Sequence, residues 1–250
     1  MISLDFIQGN INTALKNMMA KNIVVIGGES SEDMTRMTRI DEYIVASSGK
    51  AHPTVLYIST ANGDERVKIA DFTAKYESAG CSVRTLTFFI PPFPSPDHVS
   101  SLFKQADIIY VAGGNTRAML AIWREFGAVG LLKEAWENGK VLCGVSAGAI
   151  CWFEYGHSDS GGAFALIAGL GFLPGALCPH FSSEAGRETS FVELVRLKGV
   201  QPAYAVDDGV ALHFKDGRYH ETIHNDATKS AYDVTTTPPY LTQLSQVSSG

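Results

Sequence analysis

The chain has 250 residues, with 20 Lys and Arg against 26 Asp and Glu for a formal net charge of −6. That balance argues against a nucleic-acid or anionic-membrane surface, since either wants clustered basic residues, and leaves small molecules or peptides as partners. With 45% hydrophobic and 18% charged residues the composition is that of an ordinary globular protein, and the length suits one large α/β domain.

The first segment, MISLDFIQGNINTALKNMMAKN, has neither a basic start nor a long apolar core, so it does not read as a secretory signal. Met18 or Met19 would serve as a start, which makes residues 1–20 an extension. From residue 21, short β-branched runs alternate with helical periodicity, the pattern of a parallel sheet covered by helices. NIVVIGG (22–28) and TVLYIST (54–60) read as buried strands, and the apolar spacing over 64–80 reads as a helix closed by Gly80. The Gly-Gly turn ending the first strand is read as structural.

CSVRTLTF (81–88) reads as a third strand, the proline-rich 90–97 as a loop capping a helix at 97–105, and ADIIYVAGGNT as a fourth strand running into a glycine turn. Helices follow at 117–126 and 131–139, then a strand at 141–143 that meets Gly144. The glycine-rich stretch 157–175 reads as a functional loop, ALCPHF (176–181) as a short strand, and 185–197 as a helix. Residues 203–214 read as strand, turn and strand, and 215–224 as a hairpin closing at Asp216-Gly217. The fold class expected is a three-layer, doubly wound, mostly parallel α/β sheet with a C-terminal β-hairpin. It forms a single domain over 21–235, with a polar, proline-broken, frayed tail over 236–250.

Gly144, Ser146 and Gly148 satisfy G-x-S-x-G, which carries meaning when a strand leads in and a helix leads out, as is expected here through Phe153. Such a turn strains the serine's backbone and requires small flanking residues. An oxyanion site needs two donors, and the Gly114 N–H together with that of Ala147 is the pair expected. Of seven histidines, His180 leads as base because it ends a strand at the sheet's carboxyl edge. His157, eleven residues after Ser146, would be carried away along the expected helix. The carboxylate that orients the imidazole is expected from Asp207 or Asp208, after the strand AYAV, or from Asp159.

Residues 220–224 spell HETIH, a literal H-E-x-x-H. That zinc pattern needs a helix, whereas Tyr219, Thr222 and Ile223 after an Asp-Gly turn favour a strand, which would part His220 and His224 by ~13 Å. Cys81, Cys143, Cys151 and Cys178 form no CxxC pair, and three of them sit in apolar runs, as buried free thiols do, which suits a reducing cytoplasm. No metal and no cofactor are expected.

With VAGGNT (111–116), GVSAGA (144–149) and CPHF (178–181) in this order, the chain resembles the peptidase E family of serine peptidases. The resemblance runs from about Ile23 to about Phe214. It implies a flavodoxin-like fold related to class I glutamine amidotransferases and hydrolysis of short peptides, above all dipeptides with an N-terminal Asp. It also implies Ser146 as nucleophile, His180 as base, and Gly114 with Ala147 as oxyanion donors. The third position, a Glu in some members, reads Asp208 here, with Asp159 as the other place proposed. Arg187 matches an arginine that recognises the substrate's aspartate side chain, and Asn115 is its companion candidate for substrate binding. Other outcomes open to such a chain are a β-aspartyl or cyanophycin-type peptidase and a catalytically silent binding protein on the same fold. The expected partner is a small peptide, without nucleic acid or membrane, in the cytoplasm, and a homodimer is the assembly allowed for.

Overall fold

The computed structural model describes residues 20–29 and 35–244; the expected extension, Ala20 apart, lies outside the described residues. Five apolar runs form strands: Asn22–Ile26 (β1), Thr54–Ile58 (β2), Ser82–Leu86 (β3), Ile108–Val111 (β4) and Val141–Val145 (β5). All five pair in parallel in the order β1-β5-β4-β2-β3. Most read as unbroken apolar runs because both faces of the sheet are covered. Within β1, Ile23 and Val25 enter one core while Val24 and Ile26 enter the other.

Helices Arg39–Ser47 (α1) and Arg66–Ser78 (α2) cover one face, placing Ile40, Ile44, Phe72 and Tyr76 against Val24, Tyr57 and Tyr110. Helices Pro96–Gln105 (α3), Thr116–Glu125 (α4) and Ala128–Glu137 (α5) supply Phe103, Trp123 and Leu132 to the other. This is the three-layer, doubly wound arrangement expected. The hairpin of Val210–Lys215 (β10) and Arg218–His224 (β11) extends the sheet antiparallel beside β1.

A second sheet was not expected. Phe153–Ser158 (β6), Ala165–Ala168 (β7), Leu173–Cys178 (β8), Ala203–Val206 (β9), Ala231–Val234 (β12) and Leu241–Gln243 (β13) pair in the order β13-β12-β9-β8-β6-β7. The stretch expected as a glycine-rich functional loop therefore contributes to three strands, with 159–164 and 169–172 as the connections between them. Two glycines of this region serve close packing: a Cβ on Gly156 would lie 2.7 Å from Ile150 Cβ, and one on Gly169 only 2.3 Å from the Phe153 carbonyl oxygen.

The helix after Ser146 spans only Ala147–Ile150 (α6) and does not reach Phe153. It stops because the carbonyls of Cys151 and Trp152 accept from the N–H groups of Leu170 and Phe172, both at 2.8 Å. The strands at 203–206 and 210–215 lie in different sheets, so Asp207-Asp208-Gly209 is a crossover between sheets rather than a hairpin turn. The tail, expected to fray from residue 236, contributes β13; residues 245–250 lie outside the described residues. Helix Arg187–Lys198 (α7) lies between β8 and β9 in the chain, and a short 3-10 turn, Thr60–Asn62, follows β2. No helix among the described residues is long and apolar enough to cross a membrane.

Candidate active site

Ser146 sits between β5 and α6 with φ 56° and ψ −113°, a conformation that L residues rarely adopt. The flanking glycines are what make it attainable. A Cβ on Gly144 would lie 2.4 Å from the Gly148 carbonyl oxygen, and one on Gly148 would lie 2.2 Å from that of Val111. The Ser146 N–H donates to the Ile26 carbonyl at 3.0 Å, which ties the turn to the end of β1. With four residues, α6 has little macrodipole, so its contribution reduces to individual N–H groups.

His180 follows β8 and also has positive φ, 51°. Its Nε2 lies 2.8 Å from Ser146 Oγ and its Nδ1 lies 2.6 Å from Asp208 Oδ1. Burial pushes the Asp208 carboxyl up, but hydrogen bonds from His180 and Ser183 outweigh it and hold the group below the ordinary carboxylate range. An ionised carboxylate only accepts, so Nδ1 carries the ring's proton and Nε2 is left to accept from the serine hydroxyl. Asp207 plays a different part: its two oxygens accept from the N–H groups of Ser182 and Ser230 at 3.1 and 3.0 Å. Asp159 is largely exposed, 3.9 Å from the Arg187 guanidinium, and the His180 nitrogen it would have oriented is held by Asp208.

Gly27 and Gly28 belong to this site, although the sequence alone marked them only as a turn. A Cβ on Gly28 would fall 1.8 Å from Asp208 Oδ1 and 2.5 Å from His180 Nδ1, and one on Gly27 would fall 2.3 Å from the Asp207 carbonyl oxygen. The His180 N–H donates to the Gly27 carbonyl at 3.3 Å, and the Gly209 N–H to that of Gly28 at 2.9 Å. The end of β1 is thus the surface on which the histidine and its carboxylate rest. The signal for this role is the Gly-Gly pair itself, at the carboxyl end of a central strand.

On the other side of Ser146, Gly114 has φ 139°, and a Cβ there would lie 2.2 Å from the Ala61 carbonyl oxygen. A Cβ on Gly113 would come 3.2 Å from that of Ser146, so this backbone runs directly beside the serine. Neither the Gly114 nor the Ala147 N–H has an acceptor among the described residues. Asn115 is committed locally: its N–H donates to Ala61, and its side chain caps α4 by accepting from the Ala118 N–H at 2.9 Å. A cavity of about 180 Å³ opens at Ser146, His180 and Gly113. Its charged lining is Glu29, Lys68 and Lys75, and Tyr57 stacks on Phe72 along its wall at a centroid distance of 3.9 Å. Glu29 keeps access to solvent, yet the surrounding protein desolvates its carboxyl enough to raise it above the usual range against the pull of Lys75.

Arg187 does not line this cavity, contrary to the expectation of a substrate-binding role. Its side chain is 3% exposed. Nε and Nη2 donate to Glu184 at 2.9 and 2.5 Å, Nη1 donates to the His157 carbonyl at 3.2 Å, and the guanidinium sits 4.7 Å from the Phe164 ring centroid. A glutamate three residues earlier was the available sign that the arginine had a partner. Replacing Arg187 with Met is expected to cost about 2 kcal/mol of stability, the scale of charged hydrogen bonds, with KM for dipeptides changed less than about twofold. Thermal denaturation and steady-state kinetics check both halves. His157 is buried in β6 between Ser190 Oγ at 3.0 Å and Cys178 Sγ at 3.3 Å. Burial, and then Arg187, pull its pKa down to about 4, so it is a neutral core histidine.

HETIH lies on β11, as expected. Cross-strand pairing sets Glu221 opposite His213, and donor atoms of His213, His220 and Glu221 come within 4.8 Å of one another. Among the described residues this is the group that could hold a metal ion. Its donors already have protein partners. The Tyr43 hydroxyl lies 2.6 Å from both His213 Nδ1 and Glu221 Oε1, Asn22 Oδ1 lies 3.0 Å from His213 Nε2, and Lys215 Nζ lies 3.0 Å from His220 Nε2.

Residues 23–222 match the family model described as Peptidase family S51. The chain is 39% identical over 214 residues to the "Uncharacterized peptidase YgaJ" of Bacillus subtilis (strain 168), covering 86% of this chain and 92% of that protein. It is 27% identical over 126 residues to the "Peptidase E" of Haemophilus influenzae (strain ATCC 51907 / DSM 11121 / KW20 / Rd), covering 46% and 58%. The crystal structure of a peptidase from an acI-B1 Actinobacterium superposes with a TM-score of 0.68 at 17% identity, covering 94% of this chain and 98% of that one, and so shares the fold. The expectation raised by the GVSAGA and CPHF boxes is met: the chain belongs to peptidase family S51, the peptidase E family, and is a serine-type peptidase.

Proposed function

We propose that this peptidase cleaves short peptides, dipeptides with an N-terminal aspartate first among them, through an acyl-enzyme on Ser146. His180 Nε2 takes the proton of the serine hydroxyl as Oγ attacks the peptide carbonyl, and returns it to the departing amine. Asp208 keeps the imidazole in the required tautomer and stabilises the imidazolium. The free N–H groups of Gly114 and Ala147 receive the developing oxyanion. Water, deprotonated by the same histidine, then releases the acyl group. The observation that carries this reading is the unbroken contact chain from Ser146 Oγ through His180 to Asp208, opening on a cavity.

With Arg187 held by Glu184, Lys68 is a cation of the cavity's lining that can meet an acidic side chain. Its contact with Glu65 is long, 3.5 Å, and half exposed on both sides, so it can turn toward a ligand. A fluorophosphonate probe followed by peptide mass mapping tests the nucleophile: one phosphonyl adduct on Ser146, with loss of peptidase activity in step, is the expected result. Full inhibition with the adduct elsewhere, or activity surviving complete modification of Ser146, would overturn the reading. Comparing Asp-Leu with Ala-Leu and β-Asp-Leu as substrates tests the side-chain preference.

A further inference from the structure

We infer that Glu29 receives the α-ammonium group of the substrate, so that the peptidase requires a free amine on the residue just before the bond it cuts. This rests on the proposed role of Ser146 and adds the group that decides which peptides can approach it.

Position comes first. Glu29 directly follows Gly28, whose backbone abuts both His180 and Asp208, so the start of its side chain is fixed relative to the reacting atoms. It lines the same cavity as Ser146 and His180.

Charge comes second, and here Glu29 differs from its neighbours. Asp41 is taken by Lys75 at 3.1 Å and by the Tyr76 hydroxyl at 2.7 Å. Asp64 accepts from the N–H groups of Phe88 and Phe89. Glu65 faces Lys68, and Asp208 faces His180. Among the described residues Glu29 has no hydrogen-bond or ion-pair partner. Lys75 is held by Asp41 and Lys68 has only its long contact with Glu65, so Glu29 is the carboxylate of the cavity's lining that no cation pairs among the described residues. A carboxylate that is partly desolvated and unpaired is a poor structural element and a good receptor for a cation.

Size comes third. A cavity of about 180 Å³ is well below the ~300–1,000 Å³ of sites that enclose drug-sized ligands. It takes one amino-acid residue with its amine rather than a longer acyl segment. The chemical class that fits a cavity holding both a nucleophile and an unpaired carboxylate is a peptide N-terminus. With Lys68 on the same cavity, an acidic side chain on that residue would find a counter-charge as well.

The test compares a free-amine dipeptide with its N-acetylated counterpart in the wild type and in Glu29→Gln. The wild type is expected to favour the free amine by about 10- to 100-fold in kcat/KM, the scale of one charged hydrogen bond. Glu29→Gln is expected to bring that preference to within about threefold of unity, and Glu29→Asp to leave an intermediate value. The advantage of the free amine in the wild type is expected to fade as pH rises through ~8, where an α-amino group loses its proton. A preference that survives Glu29→Gln, with Ser146 labelled by the phosphonate in the wild type, sinks this inference alone. A wild type in which Ser146 takes no label sinks the nucleophile assignment instead.

Discussion

Ser146→Ala is expected to lower kcat/KM for a dipeptide by about 10⁴- to 10⁶-fold, the range seen when the nucleophile of a serine triad is removed, with stability changed by less than about 1 kcal/mol. The size of the loss follows from what remains. His180 and Asp208 would still be paired, and the N–H groups of Gly114 and Ala147 would still lack an acceptor among the described residues. No atom would be left to form the acyl bond, so only oxyanion stabilisation and substrate placement would persist. The stability half follows from the backbone. The positive φ of Ser146 is imposed by the packing of Gly144 and Gly148 against Val111 and each other. Alanine keeps the same Cβ in the same conformation and forgoes only one hydrogen bond to a partly exposed ring. Steady-state kinetics and thermal denaturation on the same preparation check the pair. Activity within about tenfold of wild type would remove Ser146 from the nucleophile's place, whatever its geometry.

Where chemistry and local pattern agree, the sequence was a sufficient guide. The elbow glycines are forced by backbone contacts shorter than any side chain allows. A histidine ending a strand and a carboxylate ending the next strand both lie on the same edge, so Ser146, His180 and Asp208 could be brought together on paper. The strand reading of HETIH also holds, because β-branched residues after an Asp-Gly turn outweigh a four-residue motif that needs a helix.

What was not legible depends on partners distant in sequence. Residues 157–175 carry glycines at a loop-like density, and the short strands among them become visible only from their pairing with residues on other strands. Arg187 is an arginine at a plausible distance from His180. Its commitment becomes visible only once Glu184, Phe164 and the His157 carbonyl surround it. Gly28 is the reverse case, a residue read as a turn that proves to be the contact surface of the His180–Asp208 pair. Its role depends on β1 and the 207–209 crossover lying side by side, and the parallel bridge between Gly28 and Asp208 joins positions 180 residues apart. Short-range patterns report backbone shape and not which strand ends will meet.

That crossover governs the second large effect. Asp208→Asn is expected to lower kcat by about 10⁴-fold, the loss found when a triad carboxylate becomes an amide. The amide can present its NH2 to His180 Nδ1, which then accepts. Nε2 would carry the proton and point a donor at the serine oxygen that must itself lose one. The Asp208 carboxyl is held below its ordinary range in the fold, so its contribution to stability is full above the unfolded carboxylate pKa and is lost as pH falls through the lowered value. Asp208→Asn should flatten that acid limb of the stability profile while leaving neutral-pH folding cooperative. A structural role alone would move stability without a loss in kcat of this size. Asp208→Glu separates geometry from charge. The extra methylene shifts the carboxylate by roughly one bond length, ~1.5 Å, a shift that hydrogen-bond geometry does not tolerate. The Gly28 backbone leaves no slack on that side. A loss of about 10²-fold is expected for the glutamate. Recovery of near wild-type kcat in Asp208→Glu would show that the crossover, not the side-chain length, adapts to place the carboxylate.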